Sequence, residues 1–465
     1  MRLMLAIVSL GLLGAAVAQD YRKLDEDQRY EELNKERQVV AQKMISSALA
    51  ENRAYGWLKE LTDIGPRLTG SKTSLTAIHW AKAKMRELGL ENVRLQSLMA
   101  PHWERGSIES AQIVSSKMFQ GRELNVAALG STEGTAAKGI TAGLVEVSSI
   151  EDLKALGNKV KDKIVFMSGD MPASVAGPDN AYGMSNAMRT RGPNIASKQG
   201  AGAYIVRSLT QGNDNVPHTG NTTYEDGVKK IPAVAIGVQD ALFLSDALSQ
   251  DPTLQINLRL SAKNHPPVET FNVIGEIIGS SPNEVIVLGG HLDSWDKGTG
   301  AHDDGGGCMQ ALEAVELFKR LGIKPKKTIR VVLYADEERG AAGGRFYAEQ
   351  ALQSKETHIA AIESDTGAFT PRGFYVEQDF ALEPLKAFLP YLEGAGIEFI
   401  KPGSSGSDVH HIQNTKALIG LSVNEQRYFD FHHSEKDVFS AVHPRELELG
   451  SAAMGILAYL ISEEW

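Results

Sequence analysis

Cysteine is almost absent from this 465-residue chain, which contains only Cys308. No disulfide can form within one chain, so the folded state must be stabilised by its core or by bound metal. Cys308 follows three glycines and begins an apolar helical pattern, which predicts a small buried side chain. No histidine partner stands out for this thiol in the sequence, so the pattern does not favour a cysteine nucleophile.

The chain also lacks an excess of positive charge. Lysine and arginine number 48 against 58 aspartates and glutamates, which gives a formal net charge of −10 at pH 7. This balance argues against a surface for nucleic acid or for an anionic membrane. We therefore expect neither partner.

Long apolar runs are confined to the first residues. MRLMLAIVSLGLLGAAVAQD has one arginine, an apolar stretch and the small residues Ala16-Val17-Ala18 before Gln19, which is the order found in cleaved secretory signals. We predict a signal peptide over residues 1–18 and export to the periplasm or the exterior. No later segment reaches the roughly 18–20 consecutive apolar residues of a spanning helix, so no membrane association is expected after cleavage.

The character of the sequence changes twice after the signal. Residues 19–112 predict a charged, solvated helical lead-in and two further helices, which form the first part of a larger domain. Residues 113–262 contain short β-rich runs such as DKIVFMSG and IPAVAIGVQD, broken by Gly, Pro, Asn and Asp. They are predicted to be a small domain inserted into the larger one. Residues 263–465 complete that larger domain.

Five apolar runs after residue 262 are typical of buried parallel strands. They are Asn272–Ile278, Val285–Leu288, Ile329–Leu333, His358–Ile362 and Leu418–Val423. Helical patterns separate most of these runs, one of them from Cys308 to Phe318, and a last helical pattern closes the chain. The sequence therefore predicts an α/β fold, a sheet flanked by helices.

Acidic residues and histidines follow four of these runs, at the edge where ligands bind in open α/β sheets. They are His291, Asp293, Asp336, Glu337, Glu338, Glu363, Asp365, His432, His433 and Asp437, with Asp303 and Asp304 ahead of the Cys308 helix. So many carboxylates would repel one another unless cations neutralised them, and imidazoles select a transition metal over calcium. The pattern predicts two metal ions, zinc in the first instance, with cobalt and manganese as alternatives.

The order of these pieces resembles the motif set of the M28 family of co-catalytic zinc exopeptidases. The matching pieces are His291-x-Asp293, Asp303-Asp304-Gly305-Gly306, Glu337-Glu338, Asp365 and His433-Ser434-x-x-Asp437. LTDIGPRLTGS resembles the N-terminal turn of the family, and the β-rich insert resembles the protease-associated domain of some members. The resemblance implies a three-layer zinc-exopeptidase domain split by this insert, a dipeptide or short-peptide substrate, and a homodimer.

The resemblance also implies five metal ligands, of which one bridges two zinc ions. Asp303 would be the bridge, His291 and Asp365 would complete one site, and Glu338 and His433 would complete the other.

Further roles follow from the same resemblance. Glu337 would be the general base that takes a proton from the water between the ions. Asp293 would accept a hydrogen bond from the second ring nitrogen of His291. Asp408 and Tyr428 are weaker candidates for contacts with the substrate.

Two ligand positions have alternatives in the sequence. Asp304 is the alternative bridge to Asp303, and His432 adjoins His433, which is preferred because it gives the His-Ser-x-x-Asp spacing. Three other functions are also open: an aminopeptidase of the same fold, a cyclase-like relative with one zinc, and a non-catalytic peptide-binding or receptor protein on this scaffold. The complete ligand set argues against the last two.

Overall fold

The computed structural model describes residue 29 and residues 31–465. The predicted signal peptide, residues 1–18, lies outside the described residues. Within the described part, no helix is both long and apolar enough to cross a membrane.

Twelve helices of the described residues are named here in chain order. They are α1 (31–51), α2 (Arg53–Ile64), α3 (Lys72–Glu87), α4 (Ile150–Leu156), α5 (Pro178–Thr190), α6 (Gly192–Lys198), α7 (Val238–Gln250), α8 (Gly306–Arg320), α9 (Ala342–Gln353), α10 (Asp379–Lys386), α11 (Leu389–Leu392) and α12 (Pro444–Glu464). A π-type turn, Ala301–Gly305, leads directly into α8.

The strands form two sheets of eight. They are β1 (Glu91–Glu104), β2 (Glu109–Ser115), β3 (Glu123–Leu124), β4 (Val126–Ala128), β5 (Ile140–Val147), β6 (Ile164–Met167), β7 (Ala203–Arg207), β8 (Ala233–Ile236), β9 (Gln255–Leu260), β10 (Lys263–Ile277), β11 (Ser281–His291), β12 (Lys327–Tyr334), β13 (Thr357–Glu363), β14 (Pro371–Val376), β15 (Phe399–Pro402) and β16 (Ala417–Val423). The first sheet has the order β1-β10-β12-β11-β13-β16-β14-β15, and the second has the order β3-β2-β9-β5-β6-β7-β8-β4.

The first sheet lies between two layers of helices. Ile286 and Leu288 of β11 pack into a core shared with α2, α8 and α12, while Val285 and Val287 pack into a second core shared with α9. Side chains alternate between the faces of a strand, so a run of four apolar residues serves both layers. The three-layer α/β fold predicted from the sequence is confirmed.

The predicted parallel direction is correct for four of the five runs and wrong for Asn272–Ile278. β11, β12, β13 and β16 are parallel neighbours, whereas β10 runs antiparallel to both β1 and β12. A strand buried on both faces is apolar in either direction, so its composition does not reveal its orientation. The chain leaves the first sheet through β1, forms the second sheet, and returns through β10. β1 and β10 lie side by side, so they run in opposite directions.

Two smaller expectations concern the burial of Cys308 and of the lead-in helix. Cys308 is fully buried, as predicted. The lead-in helix α1 is only partly solvated, because Ala41, Met44 and Ala48 pack into the core of the first sheet. These three residues repeat at helical spacing in a stretch, Val39 to Leu49, where apolar residues become frequent. The prediction of a solvated helix rests on the charged first part of the segment.

The second sheet and helices α4 to α7 form a unit between β1 and β10, which we call the second unit (residues 109–260). Ile164 and Phe166 of β6 pack on one face of its sheet, and Val165 and Met167 pack on the other. The β-rich runs DKIVFMSG and IPAVAIGVQD contain strands β6 and β8. The chain enters and leaves this unit through the paired ends of β1 and β10.

Candidate metal centre and active site

The carboxyl edge of the first sheet gathers the predicted ligands. β11 ends at His291, while Glu338, Asp365 and His433 follow the ends of β12, β13 and β16. Asp303 lies in the turn before α8. Because these four strands are parallel, their carboxyl ends meet at one edge, and the structure brings all five side chains into contact distance.

Asp303 lies in the middle of this group, and its two oxygens face different histidines. Oδ1 lies 3.2 Å from Nε2 of His291, and Oδ2 lies 3.3 Å from Nε2 of His433. Oδ1 of Asp365 also lies 3.2 Å from Nε2 of His291, and Oε2 of Glu338 lies 3.1 Å from Nε2 of His433. The arrangement is two clusters that share one carboxylate.

His432 competes with His433 for a place in the second cluster. The two rings are stacked with centroids 3.5 Å apart, and Nε2 of His432 lies 3.9 Å from Oδ2 of Asp303. His433 is nearer to Asp303 and also faces Glu338, whereas the ring of His432 packs against aromatic side chains on α5 and after β16. The geometry therefore favours His433 as the ligand.

The chemistry of this group fits bound metal. Oδ2 of Asp303 and Oε1 of Glu338 are buried and have no hydrogen-bond partner among the described residues. Burial, with the charge of Asp303 added, raises the pKa of Glu338 well above its usual range. Imidazole nitrogens and carboxylate oxygens are the donors that zinc takes in hydrolytic sites, and cations here would satisfy both oxygens and relieve their repulsion.

Glu337 faces the cluster that contains His291, whereas its neighbour Glu338 faces the cluster that contains His433. Its Oε2 lies 3.9 Å from Nε2 of His291, and 19% of its side chain is exposed on the wall of a cavity. Burial raises the pKa of Glu337 to about 7, with further contributions from Asp365 and Asp293. A carboxylate with such a pKa that reaches the cavity is suited to general-base work.

Asp293 contacts the ring of His291 mainly through its backbone. Nδ1 of His291 lies 3.1 Å from the carbonyl oxygen of Asp293 and 3.6 Å from its carboxylate. The carboxylate accepts a hydrogen bond from the N–H of Glu337 instead, at 3.1 Å. The sequence predicts the carboxylate as the partner of this ring nitrogen; in the structure the carbonyl is the nearer acceptor, and it favours the tautomer that leaves Nε2 free.

Asp437 holds the turn that carries Asp303. Its Oδ1 accepts hydrogen bonds from the N–H groups of Ala301 at 3.1 Å and His302 at 2.7 Å, and its Oδ2 accepts one from Asp303 at 3.1 Å. Three successive backbone donors on one carboxylate fix the path of this turn. The last residue of the His-Ser-x-x-Asp spacing is therefore a support for the turn that carries Asp303.

Asp304, the alternative bridge, turns away from the histidine rings. Its Oδ2 accepts from the N–H of His291 at 3.0 Å, and its Oδ1 accepts from the N–H of Gly307 at 2.9 Å. A Cβ on Gly307 would lie 1.9 Å from the carbonyl oxygen of Ser364. This close approach requires glycine at position 307. Because both oxygens of Asp304 accept from backbone N–H groups, Asp303 is the aspartate that faces both clusters.

Arg67 supports the same region and was missed by sequence reasoning. It is fully buried and donates to the carbonyl oxygens of Leu292 at 2.7 Å, Thr299 at 2.5 Å and Gly300 at 2.8 Å. Its only signal in the sequence is a basic residue inside the glycine-containing turn LTDIGPRLTGS. The guanidinium thus connects the turn between α2 and α3 to the loop after His291.

A cavity of about 650 Å³ lies beside Asp303 and Glu337, within the range of small-molecule sites. Tyr428, a predicted substrate residue, is part of its wall. Asp408, the other one, is fully buried and is not among the residues that line the cavity. It lies behind Glu363, whose carboxylate accepts from the N–H of Asp408 at 3.1 Å.

Residues of the second unit reach this centre, and no motif in the sequence indicated them. The carbonyl oxygen of Thr219 lies 3.2 Å from Nδ1 of His433, and Nη1 of Arg189 donates to the same carbonyl at 3.2 Å. Arg189 and Tyr182, both on α5, line the cavity. The Nε of Arg189 is buried without a hydrogen-bond partner in the described part of the chain.

Comparison with known proteins relates this arrangement to peptidases. The family model for peptidase family M28 matches residues 272–456. Carboxypeptidase Q of Bos taurus is 34% identical over 418 residues, which are 89% of this chain and 86% of that protein.

Two solved structures extend the comparison to the fold. The M28 peptidase precursor from Shewanella amazonensis SB2B is 33% identical, with a TM-score of 0.87 over 92% of this chain and 97% of that one. BSAP, a zinc aminopeptidase from Bacillus subtilis, has a TM-score of 0.64 at 20% identity, over 87% and 94% of the two chains. At that identity the second likeness concerns the fold alone.

Proposed function

The chain belongs to peptidase family M28 and is a metallo-exopeptidase, and on that basis we propose that it hydrolyses dipeptides or short peptides with two zinc ions. The observation that carries the proposal is the position of Asp303, with one oxygen 3.2 Å from His291 and the other 3.3 Å from His433. A carboxylate placed in this way suits a bridge between two ions. Cobalt and manganese are the alternative metals.

In this proposal each residue has one task. His291 and Asp365 would hold one ion, Glu338 and His433 would hold the other, and Asp303 would be shared between them. Bound zinc supplies a Lewis acid that polarises the scissile carbonyl and lowers the pKa of water. Glu337 accepts a proton from the attacking water and delivers it to the departing amine, for which its position on the cavity wall is suited.

The charges of the cavity support recognition of both ends of a dipeptide. Arg189 lines the cavity, and its Nε has no hydrogen-bond partner among the described residues; its guanidinium carries the charge that suits a free carboxylate. Asp179 and Glu425 line the same cavity and carry the charge that suits a free amine. An aminopeptidase would need only the acidic side of this cavity, so the demand for Arg189 separates the two functions.

Hydrolysis of one dipeptide in three forms tests the proposal. The unblocked, N-blocked and C-blocked forms are incubated with the zinc-loaded protein, and zinc per chain is counted by mass spectrometry. We expect two or more zinc ions per chain, two of them at the active site, and cleavage of the unblocked form only. Cleavage of the C-blocked form at the same rate would indicate the aminopeptidase, and no cleavage of any form with two zincs bound would indicate a binding protein.

The proposal also includes export, a homodimer and a protease-associated character for residues 113–262. Export rests on the predicted signal over residues 1–18, and N-terminal sequencing of protein from the periplasm or medium should begin near Gln19. Light scattering of the purified protein tests for the dimer. A monomer or a retained N-terminus would contradict that part of the proposal without affecting the peptidase assignment.

A further inference from the structure

Three side chains of metal-binding type lie together outside the active site, where the chain crosses between the two sheets. His102 and Glu104 are in the last three residues of β1, and His265 is the third residue of β10. β1 leads into the second unit, and β10 returns from it. None of the three has a task in peptide hydrolysis as proposed above.

Strand pairing places the three side chains on one surface. His102 lies directly opposite His265 in the antiparallel ladder, and Glu104 follows two residues later, so it points to the same face as His102. The two imidazole rings are stacked with centroids 4.6 Å apart. Neighbouring positions on two paired strands thus present two ring nitrogens and a carboxylate in the same direction.

Two distances between these atoms are close to those of a zinc site. Nε2 of His265 lies 3.1 Å from Oε2 of Glu104, and Nε2 of His102 lies 3.6 Å from Oε1 of Glu104. One ligand atom from each residue lies within 4.8 Å of the other two. With zinc–nitrogen bonds of about 2.0–2.1 Å, ligand atoms in a tetrahedral site are about 3.3 Å apart.

Two further features of His102 point to a ligand. Its Nε2 is buried and has no hydrogen-bond partner among the described residues. The ring is packed against the backbone of Gly70, where a Cβ would lie 2.4 Å from Cδ2 of His102, so the ring is held in its orientation. The positive charge of Arg339 lowers the pKa of His102. The carboxylates of Asp336 and Asp293 lie near Arg339 and offset that charge.

We propose that His102, Glu104 and His265 bind a further zinc ion, separate from the catalytic pair, which joins the strands that enter and leave the second unit. Two histidines and one glutamate are an established zinc donor set, and a water completes the fourth position. These two strands connect the first sheet to the unit that carries Arg189 and Thr219 to the active site.

Zinc counting on variants of the full protein tests this site. The protein is stripped with a chelator, equilibrated with buffered zinc and analysed for zinc per chain, as wild type, His265→Gln, Glu104→Gln and the control His79→Gln. His79 is an exposed histidine on α3. We expect His265→Gln and Glu104→Gln to bind one zinc fewer than wild type and control, with a smaller zinc-induced rise in Tm and retained dipeptide hydrolysis.

The measured quantity is a difference between variants, so it does not depend on how many ions the active site holds. Equal zinc contents in all four proteins would overturn the proposal. Glu104 has 61% of its side chain exposed and His265 has 23%, and they lie on different strands, so both variants are expected to fold. If one did not, the other would decide the question.

Discussion

Thr219 contacts His433 through both of its backbone groups. Its carbonyl oxygen lies 3.2 Å from Nδ1 of the histidine, and its N–H donates to the carbonyl oxygen of the same residue at 2.9 Å. An acceptor on the outer ring nitrogen orients a metal-binding imidazole and fixes its tautomer. Thr219 belongs to the second unit, so that unit takes part in forming the candidate metal centre.

The proposed general base can be distinguished from the proposed metal ligands by mutation. Glu337→Gln keeps the size of the side chain but removes proton transfer, and we expect kcat to fall by about 10²–10⁴-fold with an unchanged zinc content. Glu338→Gln should lower both kcat and zinc content, because Glu338 faces His433 at 3.1 Å. Loss of zinc in the Glu337 variant, or full activity without its carboxylate, would contradict these roles.

Asp437 should matter for metal affinity although it is not assigned as a ligand. Asp437→Asn would place an amide N–H against one of the three backbone donors that the carboxylate accepts. We expect zinc affinity to fall by about 10–100-fold, as for other residues that support ligands. Competition with a chromophoric chelator measures this change, and the exposed Asp63→Asn serves as the control. Equal affinities in the two variants would refute the role.

Arg189 should determine the response to the substrate's carboxyl end. With Arg189→Gln, we expect KM for an unblocked dipeptide to rise by about tenfold or more, since a charge-assisted hydrogen bond contributes about 1.5–3 kcal/mol. KM for any residual cleavage of the C-blocked form should not rise. Arg191→Gln, an exposed arginine next to the end of α5, is the matched control. A parallel rise for both substrates would show that Arg189 only supports the fold.

His358 should make the fold less stable in acid. Its Nε2 lies 3.0 Å from the hydroxyl of Tyr347, and burial lowers its pKa to about 4, helped by Arg330. The unfolded chain therefore binds a proton that the folded one does not between pH 6.5 and 4, and stability falls as pH falls through this window. The shift corresponds to about 3 kcal/mol.

Denaturant unfolding at pH 7.5 and pH 4.5 measures this effect. The loss of stability between the two values should be smaller in His358→Gln than in wild type, because glutamine does not titrate. The exposed His79→Gln variant should behave like wild type. An identical pH dependence in all three proteins would exclude His358 as a source of acid sensitivity.

Sequence alone predicts the parts of this structure that depend on local pattern. Apolar runs identified strands β11, β12, β13 and β16, and polar residues after them identified the edge where His291 and Asp303 lie. The orientation of β10 was not predictable, because burial on both faces looks the same in either direction. Four predicted parallel strands were enough to bring the candidate ligands together.

Contacts between distant segments left little trace in the sequence. Arg67 binds carbonyl groups more than 220 residues away, and a backbone carbonyl such as that of Thr219 has no identity that a motif could show. The choice of acceptor for His291 also turned on backbone geometry, since the carbonyl of Asp293 is nearer than its side chain. Such details follow from the folded chain rather than from residue type.

The position of the Asp303 turn in the chain bears on how the enzyme acquires its metal. Arg67 holds the loop before this turn from the N-terminal side, and Asp437 holds the turn from the C-terminal side. A growing polypeptide acquires Arg67 more than 360 residues before it acquires His433 and Asp437. If the protein is exported during synthesis, as proposed, the two supports of this turn would come together only on the far side of the membrane, in the compartment that would have to supply the zinc.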